Sequence, residues 1–482
     1  MASEENKLAH SLADNDKSGA TMPPPIVATV ILGLAVGIVA FSVLAGSYKV
    51  ASVPLVIGAT IASFFAIRLC LRDPSWLLFA LVLEEVVPYL NSISADPDAR
   101  WVIRYPILLP LTIPAAWLAI KRGAFRRGYF LAYALFLGWC AITISYSEVP
   151  AISLGRLIPE VLVFAALLVV VESVKSASDV RRLFDRFLLA CGFLLMIVAV
   201  SWISLPSDVT WIEEEGMRRF GGAFSTPNDL GAVCMVTIIA GIVQWNSTHG
   251  SKRLLLGICM AFAVLFGAMA DSRTVFLALI VGIVAYSVWR YRAIGAIVAF
   301  AILCALFFFV WSFAPQYLNR DVTTATGRTE VWSFELVKIR QAPILGYGFS
   351  VEGQIFQDLH FPNWETFWNA GPNSSLHNSY LSLAISCGIP ATIACLLILI
   401  WPWVSLMRSE KDPWNLKPLI FFILIPMLVL GTDESGLTEP RYVKGILFFL
   451  GWMLVERWRQ MEDSTAAHRV VNSNAWWSHL VS

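Results

Sequence analysis

Apolar residues run along this chain in long blocks bounded by charge, proline or glycine, and blocks of that length predict membrane-crossing helices rather than strands. Fourteen spans are expected, near 26–47, 52–71, 75–90, 105–120, 128–146, 157–172, 186–205, 229–245, 253–270, 274–289, 293–314, 379–403, 416–431 and 441–457. The third and fourth are short, and the fourth contains Pro110 and Pro114. If those two form a re-entrant pair, the count falls to twelve. The expected fold class is therefore all-α, a polytopic membrane helix bundle of 12 to 14 transmembrane helices.

Composition sharpens that picture. Of 482 residues, 57% are hydrophobic and 14% charged, against roughly 25% charged in a soluble domain. A mean hydropathy of +0.68 over the whole length excludes a soluble enzyme and a soluble domain with one anchor. Residues 1–25 mix Asp, Glu and Lys without the apolar core and cleavage site of a signal peptide, and read as a disordered cytoplasmic tail. All eight cysteines fall inside apolar segments, so neither a disulfide framework nor a cysteine metal site is expected. The net charge of +1 gives no reason to expect nucleic acid as a partner.

Where the charges sit matters more than their sum. Most of the 35 basic residues alternate onto one side if both termini lie inside, including Lys121, Arg122, Arg126 and Arg127, then Lys175, Arg181, Arg182 and Arg186, then Lys252 and Arg253. That orientation divides the chain into N-terminal transmembrane helices over 26–205, a second membrane region over 206–458 and a cytoplasmic tail over 459–482. It places one long connection, 315–376, on the outer side. Within it Trp332, Phe334, Leu336, Val337 and Ile339 recur at near-helical spacing, followed by Gly346-Tyr347-Gly348. A helical loop folded onto the membrane surface is expected.

Candidate chemistry lies on the side that should be poor in cations. Arg156, Arg218, Arg219, Arg273, Arg320, Arg328 and Arg340 all map there. Converging guanidinium groups suit a polyanion, because their planar forks match phosphate oxygens and hold their charge. The alternative is that each snorkels to headgroups or pairs locally, as Arg156 could with Glu160 and Arg273 with Asp271. Arg328 follows Thr326-Gly327 at an expected helix start, where free amides and the dipole already favour an anion. His377 is expected in the first turn of a span capped by Ser374 or Ser375, where the dipole disfavours imidazolium and leaves a neutral ring able to accept a proton; a hydrogen-bonded structural histidine is the alternative. Asp96-Pro97-Asp98 has carboxylate spacing but reads as turn chemistry. Glu84 and Glu85 interrupt a span, and ionisable residues there are functional candidates by default; the alternative is that they face the bundle near its outer end and pair with Arg104 or another outer arginine. No Walker loop, Rossmann fingerprint or His/Cys cluster is present in the sequence, so no metal and no cofactor is expected.

Four segments carry a family resemblance. Arg219-Phe220-Gly221-Gly222-Ala223-Phe224-Ser225-Thr226-Pro227-Asn228 resembles an outer-loop pattern ending in Pro-Asn before a helix, and Ser272-Arg273 resembles a Ser-Arg turn. Gly327-Arg328-Thr329-Glu330-Val331-Trp332, followed by Pro343-Ile344-Leu345-Gly346-Tyr347-Gly348, is similar to a long-loop signature. His377-Asn378, with ten residues before Gly388, is similar to a His-containing motif. Together, over 218–451, they resemble the O-antigen ligase and Wzy-type polysaccharide polymerase superfamily of bacterial membrane glycosyltransferases. Trp332 stands where ligases often have Leu, and Ala391 where the ligase motif usually ends in Gly, Thr or Tyr.

The resemblance implies transfer of a glycan from undecaprenyl pyrophosphate to an acceptor hydroxyl at the periplasmic face of the inner membrane, without nucleotide sugar or metal. In that scheme His377 takes the acceptor proton and Arg273 and Arg328 stabilise the departing pyrophosphate, with Arg219, Arg218, Arg156, Asn228, Trp332 and Asn378 binding substrate. The implied partners are the undecaprenyl-pyrophosphate-linked oligosaccharide, an acceptor glycan or lipid, the bilayer and other polysaccharide-assembly membrane proteins. A polymerase making exopolysaccharide, capsule or O-antigen is expected first. A ligase acting on lipid A-core or a protein is the second reading. A transporter or flippase is the third, disfavoured because no repeated halves are visible and the polar residues cluster outside rather than at midplane.

Overall fold

Helices make up nearly all of the regular structure, as the apolar blocks require. The computed structural model describes Arg68 and residues 72–84, 97–126, 128–214, 217–224, 226–317, 328–352, 355, 378–412, 414–432 and 442–481. For 97–107, 208–209, 213–214, 217, 273, 299–300, 302–317, 328–330 and 464–481 it describes the backbone alone. All lie within the unit Ala66–Ser482. The expected span at 26–47, that at 52–71 apart from Arg68, and His377 lie outside the described residues.

In chain order the helices are α1 Ser75–Glu84, α2 Pro97–Arg122, α3 Gly128–Thr143, α4 Pro150–Glu172 and α5 Ala177–Ser204. A two-stranded antiparallel hairpin follows, β1 Trp211–Glu214 against β2 Met217–Phe220, with Ile212 opposite Arg219. Then come α6 Pro227–Trp245, α7 Gly250–Ala270, α8 Arg273–Tyr317, α9 Arg328–Gln341, α10 Ser379–Cys387, α11 Ile389–Arg408, α12 Lys417–Leu430 and α13 Val443–Val481. Among the described residues, seven helices are long and apolar enough to cross a membrane. The chain is an all-α polytopic membrane helix bundle.

Local chemistry explains the helix boundaries. Pro150 and Pro227 sit in first turns, where no amide partner is lost. Ser176 and Asp179 form a reciprocal capping box at the start of α5, and Thr226 caps α6 by accepting from the amide of Asp229. The reversal expected between 289 and 293 occurs at Arg292, which leaves helical geometry inside α8. A Cβ on Gly295 would strike the Ser287 carbonyl, although a straight helix would separate the two by roughly 12 Å.

Two departures from the expected spans have clear causes. The span expected at 379–403 is broken at Gly388, whose φ of 84° ends α10 and starts α11. Within α12, Pro426 lacks the amide that would bond one turn back, and the preceding turn widens into a π-helix over Ile420–Leu424.

The core lies between α4 and the first half of α13. Val163 to Val171 are buried without interruption, and so are Ile446 to Leu450 and Trp452 to Val455. Helices apolar on every side belong at the centre of a bundle. Tyr133 of α3 joins them, with ring centroids 4.7 Å from Phe164 and 5.0 Å from Phe449. Apolar side chains on α5, α7 and α8 point outward, Ile203, Leu254 and Ile294 among them, as lipid-facing surface does.

The helices alternate in direction. The α3–α4, α5–α6, α7–α8 and α12–α13 connections therefore share one end of the bundle, and α2–α3, α4–α5, α6–α7 and α11–α12 the other. The second end carries Lys121, Arg122, Arg126, Lys175, Arg181, Arg182, Lys252, Arg253, Arg408 and Lys411. It is tied by Arg459 to Glu456 at 2.9 Å and by Arg457 to the Glu172 carbonyl.

Candidate functional site

The end opposite that basic rim gathers the motif segments in two groups. The first forms around Arg219, the last but one residue of β2. Gly221 and Gly222 both donate to the Thr210 carbonyl, at 2.9 and 3.0 Å. A Cβ on either would run into Ile212 or Val198, so glycine lets the hairpin close onto α5. Buried Arg219 then donates from Nε to the Ala270 carbonyl at 3.1 Å, and from Nη2 to the Asp271 carbonyl at 3.2 Å and Asn228 Oδ1 at 2.8 Å.

Those carbonyls close α7, where helix ends leave unpaired acceptors and partial negative charge. Arg219 thus ties the α7 end to the α6 start. Asp271 caps α7 in the left-handed conformation. Ser272 is buried against Gly231, where a Cβ would lie 2.7 Å from the serine Cβ. The turn so clamped begins α8 at Arg273, whose side chain lies outside the described set. Arg218 is exposed, with its guanidinium 5.9 Å from the Trp211 ring centre.

The second group joins the long loop to α10. The last carbonyls of α10 are taken by groups distant in sequence: the Tyr347 amide bonds Ile385 at 2.8 Å, the Gly348 amide Ser386 at 3.0 Å and Trp139 Nε1 Cys387 at 3.2 Å. Ile389 donates to the Pro343 carbonyl at 2.8 Å. Gly346 and Gly388 adopt positive φ, and a Cβ on either would collide with backbone of the opposite strand of this contact. The glycines of the loop signature and of the His-containing motif therefore serve one close backbone approach.

A buried polar chain runs behind this contact. Arg156 of α4 donates from Nη1 to the carbonyl and hydroxyl of Ser350, both at 2.7 Å. The Ser350 amide donates to Ser386 Oγ at 3.1 Å, and Ser386 Oγ donates to Glu352 at 3.2 Å. These bonds hold Ser350 at φ 57°, a conformation that a non-glycine residue keeps only when its surroundings impose it. Arg156, Ser350, Glu352 and Ser386 are all buried.

Glu335 of α9 is also fully buried, and its carboxyl has no hydrogen-bond partner among the described residues. Burial first, and then the Glu352 carboxylate, push it up to about 9, so it is neutral at pH 7. Apolar packing of Val331 and Ile339 with Val351, Ile355, Ala384 and Ile385 seats α9 beside α10.

Asn378 changes the expected start of α10. The expected caps were Ser374 or Ser375, with His377 in the first turn. Instead Asn378 Oδ1 accepts from the Tyr380 and Leu381 amides, both at 3.0 Å, because an asparagine oxygen next to the helix outcompetes more distant hydroxyls. His377 therefore immediately precedes the cap. Asn378 Nδ2 donates to the Thr432 carbonyl at 3.1 Å, and the Ser379 amide to Gly431 at 2.9 Å.

These bonds dock α10 on the end of α12, and α12 packs against α8. Gly282 approaches the Phe421 carbonyl and Pro426 closely enough that a Cβ would lie 2.6 Å from the former. Tyr286 and Phe422 rings stand 4.7 Å apart. Gly282 lies nine residues into α8, roughly 14 Å below Arg273, and Gly431 about 8 Å beyond Pro426 along α12. So α12 reaches from the helix begun by Arg273 to the one preceded by His377.

Of the expected substrate-binding residues, Arg219, Arg156, Asn228 and Asn378 make the protein-to-protein bonds just given. Arg156 donates to Ser350, a partner that the expected pairing with Glu160 did not include. Trp332 is half-buried, and its indole N–H has no partner among the described residues. Of the apolar residues expected on the loop helix, Ile339 is buried whereas Leu336 and Val337 are about half exposed. Sequence reasoning missed Glu335, Glu352, Ser350 and Ser386. The usable signal was Glu335 itself, one turn from Val331 and from Ile339 on the buried stripe. Among the described residues no group of three His, Cys, Asp or Glu could hold a metal.

The O-antigen ligase family model, Wzy_C, matches residues 255–396. That stretch contains Ser272-Arg273, the long-loop signature and His377-Asn378. Exopolysaccharide production protein ExoQ of Rhizobium meliloti (strain 1021) is 20% identical over 367 residues, 69% of this chain and 80% of the relative. These matches support the O-antigen ligase and Wzy-type superfamily. They also support an O-antigen ligase or polymerase-type enzyme of exopolysaccharide production, and a multi-pass membrane protein. In the two groups Arg219 fixes the turn that carries Arg273, and the Gly-Tyr-Gly segment seats the loop helix begun by Arg328 beside the helix preceded by His377.

Proposed function

We propose that the protein is a polysaccharide polymerase that transfers an undecaprenyl-pyrophosphate-linked glycan to the hydroxyl of an acceptor sugar, at the periplasmic face of the bacterial inner membrane. The single observation that carries the reading is the collection of helix starts at the end away from the basic rim. The helices that begin at Arg273 and Arg328, and the one that follows His377, belong to two clamped groups bridged by α12. Free amides and dipoles at helix starts favour an anion, and arginines there add directed charge for a pyrophosphate. With the basic rim cytoplasmic, this end faces the periplasm and both termini the cytoplasm.

In the reaction His377, neutral, accepts the proton of the acceptor hydroxyl as its oxygen bonds to the anomeric carbon. The bond from that carbon to the pyrophosphate breaks, and Arg273 and Arg328 stabilise the charge that develops on the leaving group. Arg219 and Asn228 hold the Arg273 turn. Arg218 and Trp332, exposed and half-buried, are available to the lipid-linked glycan. Arg156 and Asn378 fix the loop and α10. The name of ExoQ favours exopolysaccharide over other products. The family's description as an O-antigen ligase favours the second reading, transfer to lipid A-core or a protein.

The test is purified protein with a lipid-linked repeat unit, with and without lipid A-core, and the products sized on a gel. Ladders from donor alone support the polymerase; product that requires core supports the ligase; no new glycosidic bond refutes both. His377→Ala is expected to lose about 10² to 10⁴ in rate while reaching the membrane in normal amount. Arg273→Lys and Arg328→Lys are expected to lose most activity because a point charge does not replace a fork. Full activity in both lysine variants would remove the pyrophosphate role.

A further inference from the structure

Among the described residues, the carboxyl of Glu335 is a buried acid at this end for which neither the fold nor the proposed chemistry supplies a use. It occupies the middle of α9, on the same stripe as Val331 and Ile339, and therefore faces the seam with α10 and the 349–355 segment. It is fully enclosed, and no hydrogen bond holds it among the described residues. A carboxylate so placed would face desolvation and the neighbouring carboxylate of Glu352 together, whereas a carboxylic acid faces neither.

The charged and titratable groups around it make the arrangement specific. On α9 itself Lys338 turns to the Tyr347 and Phe334 rings, and Arg340 is exposed. From the 347–352 segment come Tyr347 and Glu352, and Glu352 already accepts from Ser386. From α4 comes Arg156, engaged by Ser350, and near the start of α4 Glu148, which acts on Tyr347. From α10 come Tyr380, which donates to the Leu428 carbonyl, and Cys387. None of the bonds in this set places a cation on Glu335.

We propose that Glu335 is a positioning residue: its carboxyl, seated in the neutral form between α9 and the α10 face, fixes the helix that begins at Arg328 against the helix that follows His377. The role in activity rests on the glycan-transfer reading, but the docking itself does not. Neutral Glu335 closes the seam without charge. Once ionised it repels Glu352, and α9 loosens from α10 while the transmembrane helices stay in place.

The sign of the pH dependence follows. Docked, the carboxyl holds its proton up to about 9; undocked, it returns to the ordinary value near 4.5. Docking is therefore strongest below the ordinary value and weakens as pH climbs between the two, by up to about tenfold in its equilibrium constant per pH unit, and changes no further above. At the pH of ordinary assays the loop helix is already on the slope.

The test uses the full-length protein in membranes. Val331, buried at the seam, is replaced by cysteine and labelled with a membrane-impermeant maleimide from pH 6 to pH 10. Leu336→Cys, half-exposed and about 100° around α9 from Glu335, normalises the reagent's own pH response. The expected result is a normalised labelling rate that climbs steeply towards about pH 9 and then levels off. With Glu335→Gln, which is neutral at every pH, the rate is flat. A second variant, Glu352→Gln, removes the carboxylate neighbour that helps hold the proton on docked Glu335, so the climb levels off at a lower pH and at a smaller total rise. A flat rate in the parent, or the same climb in Glu335→Gln, overturns the proposal. In the donor-only glycan assay, Glu335→Gln retains activity at pH 9 that the parent loses. If His377→Ala proves fully active while the labelling behaves as expected, the transfer reading falls and the docking role stands.

Discussion

Replacing Arg219 by alanine isolates the clamp on the α7–α8 turn. The substitution removes one guanidinium and leaves three acceptors without it: the Ala270 and Asp271 carbonyls and Asn228 Oδ1. Each hydrogen bond from a charged donor contributes about 1.5–3 kcal/mol net, and a cation at a helix C-terminus adds about 0.3–1 kcal/mol. Because the bonds share one group and the site relaxes, the contributions do not add in full, and the expected cost is about 3–5 kcal/mol. At 1.4 kcal/mol per decade, local opening of the turn becomes about 10² to 4 × 10³ times more frequent. The assay is amide hydrogen exchange in nanodiscs, read at Asp271 and Phe276, whose amides donate to Ala268 and Ser272 across the turn. Their protection should fall by that factor while amides in the α4 core keep theirs. Arg219→Lys, with one charge and no fork, should recover part of the loss. Unchanged protection at Asp271 and Phe276 in Arg219→Ala would refute the clamp.

Other consequences can be measured with the same preparations. Gly388→Ala puts a Cβ against the Ile344 carbonyl at φ 84°, and should destabilise the loop contact by about 3 kcal/mol or more, seen as a lower Tm or loss of monodispersity in detergent. Arg156→Met removes the donor to Ser350 and should make the 343–352 segment sensitive to protease while leaving the bundle intact; resistance equal to the parent would mean that the chain from Arg156 to Ser386 contributes little.

The membrane helices were legible because burial in lipid is a property of composition along a line. The blocks at 128–146, 229–245 and 253–270 lie within a residue or a few of observed helices. The break near Arg292 was legible because charge interrupts the block there. The break at Gly388 was not read, although glycine followed by Pro390 is itself a boundary signal, because no charge interrupts the apolar run there. Its cause lies in the Pro343-Ile344 backbone more than forty residues earlier.

The candidate site shows the same division. The positions of Arg273 and Arg328 at helix starts followed from adjacent turn residues, and α8 and α9 do begin at those residues. The partners of Arg219 and Arg156 did not follow. An arginine presents the same fork to a phosphate and to a helix-end carbonyl, and hydropathy does not say which helix end will come within reach.

By itself, then, the order of residues determined that this chain forms membrane helices, which of its ends is rich in cations, and where motif residues stand relative to helix starts. Each depends on transfer free energies and turn chemistry that act within a few residues. Tertiary structure alone decided that Arg219 closes α7, that two glycine-bearing segments share one backbone contact, and that an acid is sealed between α9 and its neighbour. Those outcomes depend on which unpaired carbonyls and which apolar stripes meet across the bundle. That meeting is set by the packing of helices far apart in the chain.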